Sequence, residues 1–197
     1  MATATEKKQF FDNYSGWAVT SMARSGVPAS IILAQSVKES GWGTNDLSRN
    51  YNNFFGIQCH RWKGWIGKCT SKTDYDSQGK PYPAEFRVYN SPYDSFIDHA
   101  DFLMDNPRYD SLFENTDYVS WANGLQKSGY AEDTGYAKSL IDIIQQNGLE
   151  KYDREGDIQM QTLPNTLIRN RRKLIVITII IIILLVALWI VGKKIFK

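Results

Sequence analysis

The chain has 197 residues, with 23 Lys and Arg against 21 Asp and Glu and a formal net charge of +2. That balance, without a basic stripe interleaved with aromatics, excludes a nucleic-acid-binding domain. The length suits one domain with an appendage, and six Trp and eleven Tyr are enough for a compact core or for a sugar-binding cleft.

In chain order, residues 6–24 carry Phe10, Phe11, Tyr14, Trp17, Ala18 and Met22 at spacings of an amphipathic helix. A second helix starts at Pro28, whose missing N–H costs nothing in a first turn. Leu33, Ala34 and Val37 face a core, and Gly41 and Gly43 stop the helix. Residues 54–89 change texture: Gly64, Gly67, Gly79, Pro81 and Pro83 break the helical pattern, and Phe86-Arg-Val-Tyr89 is β-prone. We expect one hairpin there, forming a small β-lobe. Helical patterning resumes over 91–104, 118–127 and 135–146. The domain is expected to end at 151, with a linker over 152–168, where periodicity is absent and Pro164 occurs, and an anchor over 169–197.

Glu39 is out of place by helix rules. It falls in the last turn of the second helix, at the negative end of the dipole, where a cation is favoured. The dipole and partial desolvation beside Trp42 are expected to raise its pKa, so that it keeps a proton near neutral pH and serves as a general acid. A surface Glu on a frayed helix end is the plainer reading for this residue taken alone.

Cys59 and Cys69 lie ten positions apart in the β-lobe. A disulfide would staple a lobe with little core of its own, by roughly 2–3 kcal/mol, and would need an oxidising compartment. Zinc would have to use Cys59, His60 and Cys69, two of them adjacent and none in CxxC spacing, which is poor ligand geometry. Reduced thiols fit a cytoplasmic domain.

Residues 174–191 read LIVITIIIIILLVALWIV, with Thr178 the only polar side chain. A stretch of about 18–20 apolar residues crosses a bilayer. Trp189 and Lys193, Lys194 and Lys197 form one flank, and Arg169, Arg171, Arg172 and Lys173 the other. The N-terminal residues lack an apolar h-region, so a single-pass, C-terminally anchored membrane protein in contact with the lipid bilayer is expected. Positive charge slightly heavier before the span than after it favours the domain on the cytoplasmic side.

Beyond Glu39-Ser-Gly-Trp-Gly43, the chain carries Asn52-Asn53-Phe54-Phe55-Gly56-Ile57, Phe86-Arg87-Val88-Tyr89, Ser95 to Leu103, Asn106-Pro107-Arg108-Tyr109 and Gly129-Tyr130-Ala131-Glu132-Asp133. In this order and spacing they resemble the peptidoglycan N-acetylglucosaminidases of glycoside hydrolase family 73, the flagellar muramidase type, over roughly residues 10–150. The resemblance implies an α+β, mostly α, lysozyme-like domain whose β-lobe walls a cleft. It also implies cleavage of the β-1,4 bond between N-acetylglucosamine and N-acetylmuramic acid in peptidoglycan glycan strands. No cofactor or metal is expected.

Two carboxyl groups flank the scissile bond in most such hydrolases. With Glu39 as acid, the resemblance places the partner in the hairpin upstream of Phe86. Asp74 matches best, where relatives often carry Glu. Asp76 is the second choice and a substrate-binding candidate, and Glu85 is structural. The substrate's own acetamido oxygen is the alternative nucleophile, and Tyr130 is the family residue expected beside it, with Tyr136 a neighbouring binding candidate. Asn53 and Phe55 are expected below Glu39 in reach of sugar, and Trp62 and Trp65 as sugar platforms. His99 reads as a packed or capping residue. A lytic transglycosylase is the alternative chemistry, and a non-catalytic glycan-binding membrane protein the alternative of another class. Because peptidoglycan lies outside the cytoplasmic membrane, three roles stay open: a phage-type lysin, cargo of a secretion machine, or a wall-remodelling enzyme inserted with its domain outward.

Overall fold

The computed structural model describes residues 2–59, 65–75 and 78–162. They form helices α1 (Ala4–Ser25), α2 (Ala29–Ser40) and α3 (Asp46–Tyr51), strands β1 (Cys69–Tyr75) and β2 (Pro81–Arg87), and helix α4 (Pro92–Asp105). A 3₁₀ segment (Pro107–Glu114) follows, then α5 (Tyr118–Lys127), α6 (Tyr136–Asn147) and α7 (Glu150–Thr162).

Helix α1 starts at a capping box in which Thr3 and Glu6 satisfy each other's backbone N–H, and its Phe10, Phe11, Ala18 and Met22 are buried as their spacing predicts. Helix α2 is buried more completely than a one-faced pattern predicts. Ile31, Ile32, Leu33, Ala34, Gln35 and Ser36 are all inaccessible, because α1, α5, α6 and α7 pack around it. Its serines fit this setting: Ser36 Oγ donates to the Leu33 carbonyl (2.7 Å) and Ser40 Oγ to that of Ser36.

The expected linker over 152–168 is corrected in its first part, since Tyr152 to Thr162 belong to α7. Gly156 is the buried residue of this otherwise polar helix, and it sits so close to Met22 of α1 that a Cβ would lie 2.4 Å from Sδ. Asp153 accepts from the backbone N–H (2.7 Å) and the hydroxyl (2.6 Å) of Ser30. Pro28 offers α2 no side-chain cap, so a carboxylate from α7 does the work of an N-cap.

The β-lobe is one antiparallel hairpin, Cys69 opposite Arg87 and Tyr75 opposite Pro81. A third short stretch joins β2 on its outer edge through the bridge of Gln58 with Phe86. Cys59 and Cys69 are disulfide-bonded, with Cα atoms 6.3 Å apart. The lobe is tied to the helices by side chains from the recurring motifs. Asn53 Nδ2 donates to the carbonyls of Ile57 (3.0 Å) and Arg87 (2.9 Å). Arg87, 3% exposed, donates to both oxygens of Asp98 on α4 (2.9 and 2.7 Å), and the Tyr89 hydroxyl donates to Asp98 Oδ2 (2.6 Å). Among the described residues no helix is long and apolar enough to cross a membrane; residues 174–191 lie outside them.

Candidate active site

Between the β-lobe and the helical body lies a cleft of about 1140 Å³. Drug-sized ligand pockets run to about 1,000 Å³, so this one has room for more than a single sugar ring. One wall is Glu39 at the end of α2 and Asn45 at the start of α3. Gln58, Lys72, Asp74, Tyr75 and Tyr82 come from the β-lobe, and Asn106, Arg108, Tyr130 and Glu132 from the loops after α4 and α5.

The turn that presents Glu39 explains its motif. Gly41, Trp42 and Gly43 all have left-handed backbones, with φ of 57°, 64° and 72°. Trp42 tolerates this because its ring is fixed against Phe10 (5.6 Å) and Phe11 (5.5 Å) of α1; strained backbone of this kind persists where packing over-determines it. At Gly43 a Cβ would also press on Phe54 at 3.3 Å. Trp42 does not line the cleft; its ring locks the turn. Ser40 Oγ accepts from Gly43 N–H (2.7 Å) and Asn45 Nδ2 donates to the Glu39 carbonyl (2.9 Å).

Glu39 Oε1 accepts from the Tyr136 hydroxyl at 2.8 Å. Burial raises the pKa of Glu39, and the Tyr136 hydrogen bond and the nearby Lys38 charge offset this only in part. Lys38 itself is held by Asp133 at 3.2 Å. The physical cause is therefore desolvation by the helical body.

Asp74 also lines the cleft. It accepts from Gln58 Nε2 (2.8 Å), the Tyr82 hydroxyl (3.1 Å) and the backbone N–H of Tyr75 (2.9 Å). These three donors fix the position of the carboxyl on the lobe. Tyr130 lines the cleft with its ring stacked on Tyr136 (5.5 Å). Glu39, Asp74 and Tyr130 are thus brought to one cavity.

Other expected residues fall elsewhere. Tyr136 is fully buried and touches no cleft; it holds Glu39 instead of binding sugar. Asn53 is 1% exposed, its amide spent on closing the loop to the β-lobe. Phe55 lines the cleft floor but is 4% exposed, stacked on His99 at 3.9 Å. His99 is packed as expected; burial pushes its pKa down to about 3, so it is neutral. Trp65 does not line this cleft: its indole N–H donates to the Lys68 carbonyl (3.2 Å) and its ring covers the Arg87 guanidinium at 4.9 Å. Trp62, Asp76 and His60 lie outside the described residues. Sequence reasoning passed over Tyr75, an exposed aromatic (64%) on the cleft wall, whose place beside Asp74 on the hairpin was the available signal. It also passed over Gln35, one helical turn before Glu39.

A mostly helical body, a two-stranded lobe and a desolvated carboxyl at the mouth of the cleft between them define a lysozyme-like glycoside-cleaving domain. The chain belongs to the glucosaminidase family (mannosyl-glycoprotein endo-β-N-acetylglucosaminidase), whose family model matches residues 15–149. It is 35% identical over 146 residues to the peptidoglycan hydrolase FlgJ of Escherichia coli K12, covering 72% of this chain and 47% of that protein. It is 34% identical over 155 residues to the exo-glucosaminidase LytG of Bacillus subtilis, covering 75% and 54%. The chain spans about half the length of these relatives. Among solved structures, the catalytic domain of the autolysin Auto of Listeria monocytogenes superposes with a TM-score of 0.64 at 28% identity, covering 77% of this chain and 90% of that one. The truncated glycoside hydrolase domain of Salmonella typhimurium FlgJ gives 0.57 at 35% identity, covering 71% and 95%.

Proposed function

We propose that this chain is a peptidoglycan hydrolase that cleaves the β-1,4 bond between N-acetylglucosamine and N-acetylmuramic acid, with Glu39 as general acid. The observation that carries the reading is a carboxyl with a raised pKa, buried by the helical body yet lining a cleft of about 1140 Å³. Family membership and the names of the relatives support it. In this reading Glu39 protonates the leaving oxygen. Asp74, held across the cleft by the lobe, stabilises positive charge at the anomeric carbon or activates water, and Tyr130 steadies the 2-acetamido group. Tyr75 offers its exposed ring to the apolar face of a sugar. Mass spectrometry of digested glycan strands tests the chemistry. Reducing N-acetylglucosamine ends are expected; 1,6-anhydro-muramyl ends would assign a lytic transglycosylase instead.

We further propose that residues 174–191 anchor the protein in a bilayer with the catalytic domain on the oxidising, peptidoglycan-facing side. The apolar run with its Trp189 and lysine flank supports the anchor. The Cys59–Cys69 bond supports the side, against the weak charge bias, since disulfides persist in oxidising compartments. Protease added to intact spheroplasts is expected to digest the domain while the full chain sediments with membranes; protection of the domain would refute the orientation.

A further inference from the structure

Gln35 and Glu39 lie one helical turn apart on α2, so both side chains meet the first residue of α6, Tyr136. The three form a chain of hydrogen bonds. Gln35 Nε2 donates to the Tyr136 hydroxyl oxygen at 3.0 Å, and that hydroxyl donates to Glu39 Oε1 at 2.8 Å. Gln35 and Tyr136 are both fully buried, and Gln35 Oε1 has no partner among the described residues. A buried amide oxygen left without a donor calls for a reason.

The tyrosine hydroxyl has a single proton, so the chain of bonds can run in two directions only. In the observed direction the Tyr136 proton points at Glu39 Oε1. The acid proton of Glu39 must then sit on Oε2, which has no protein partner among the described residues and belongs to a carboxyl lining the cleft. In the reverse direction the Gln35 amide is turned over, Tyr136 donates to its oxygen, and Glu39 gives its proton from Oε1 to Tyr136. That arrangement would strand both amide N–H donors, where the observed one strands the carbonyl oxygen and a single N–H. Orphaned buried N–H groups are the rarer of the two in native structures, so the observed direction is favoured.

We propose that Gln35, acting through Tyr136, is a positioning residue that keeps the acid proton of Glu39 on Oε2, the oxygen that Tyr136 leaves unengaged. The inference rests on the reading of Glu39 as the general acid. When the glycosidic C–O bond breaks, its electron pair goes to the leaving oxygen, which takes the Oε2 proton. Glu39 is left as a carboxylate whose Oε1 still accepts from Tyr136, so no buried group has to turn. The charged and titratable groups around Glu39 leave this choice intact. Lys38 is held by Asp133, His99 is neutral, Tyr130 stacks on Tyr136, and Glu132 and Asp74 lie on other walls of the cleft.

The test is Gln35→Met in the full chain, a replacement of similar volume with neither amide donor nor amide acceptor. Reducing-end release from purified peptidoglycan is expected to show kcat lowered by about tenfold or more, with KM and the melting temperature near those of the parent. The alkaline limb of its pH profile stays in place, because Tyr136 still donates to ionised Glu39. Tyr136→Phe loses kcat as well but moves that limb to higher pH, because the donor that favours the carboxylate is gone. Unchanged kcat in folded Gln35→Met overturns the proposal. If that variant does not fold, unchanged kcat in Tyr136→Phe overturns it. Activity retained in Glu39→Gln would defeat the reading of Glu39 itself, whereas an inactive Glu39→Gln beside a fully active Gln35→Met defeats only the role of Gln35.

Discussion

Glu39→Gln is expected to lower glycan cleavage by about 10²–10⁴-fold, the contribution of a positioned general acid, and to make the protein more stable near neutral pH. Both effects follow from the same burial. Gln keeps the shape of the side chain and can accept from Tyr136, but it has no proton to give to a leaving oxygen. For stability, Glu39 has a folded-state pKa above its ordinary value because burial disfavours its charge, so the native state binds the proton more tightly than the unfolded chain does. Stability is therefore undiminished below the usual carboxylate range and declines as pH rises from that range through the folded value. Gln escapes this decline. Reducing-end assays, with thermal melts at acid and neutral pH, check the pair of effects. An active variant, or one whose stability difference from the parent is the same at both pH values, would refute the account.

The second large effect is expected away from the cleft. Asp98→Ala should destabilise the fold by about 3 kcal/mol, toward the lower end of what breaking a buried ion pair costs, because the Asp98 side chain is 24% exposed. It removes the partner of Arg87, whose side chain is 4% exposed, and the acceptor of the Tyr89 hydroxyl. Arg87 would then be a buried cation under Trp65 with no carboxylate. Since Arg87 ends β2 and Asp98 lies on α4, the loss also loosens the lobe that carries Asp74, and KM is expected to rise. Asp98→Asn, which keeps two polar atoms in place, should cost less. Urea denaturation measures both; a loss under about 1 kcal/mol for the alanine variant, the value typical of exposed pairs, would contradict the assignment.

Local rules expose some of this molecule and hide the rest. Glu39 is legible because a carboxylate before Gly-Trp-Gly violates helix-dipole preference, and the hairpin because Gly and Pro punctuate it. Helix α7 is hidden because it has almost no apolar face: its place is set by Gly156 against Met22 and by Asp153 at the start of α2, contacts that no periodicity announces. Tyr136 and Gln35 are hidden for a related reason. The tyrosine is 97 positions from the carboxyl it holds, and the glutamine reads as one more polar residue in a helix expected to have a solvent face. Asn53 and Trp65 were misplaced because polar and aromatic residues near a cleft can serve substrate or scaffold equally well, and here the backbone of the β-lobe and the Arg87 guanidinium claim them. The motif Phe86-Arg-Val-Tyr89 is accordingly a hinge pin of the architecture more than a reagent.

The bond from Asp153 to Ser30 spans 123 positions, and α7 packs on α1, so the first and last helices of the domain complete one another. Synthesis runs from the N-terminus, and the helix bearing Glu39 emerges from the ribosome long before its cap does. Contacts of such high sequence separation are the slow ones to form. The nascent domain therefore cannot finish its active-site helix until residue 162 or so has been made. A fragment trimmed at residue 149, where the family match ends, would lack the piece that closes it.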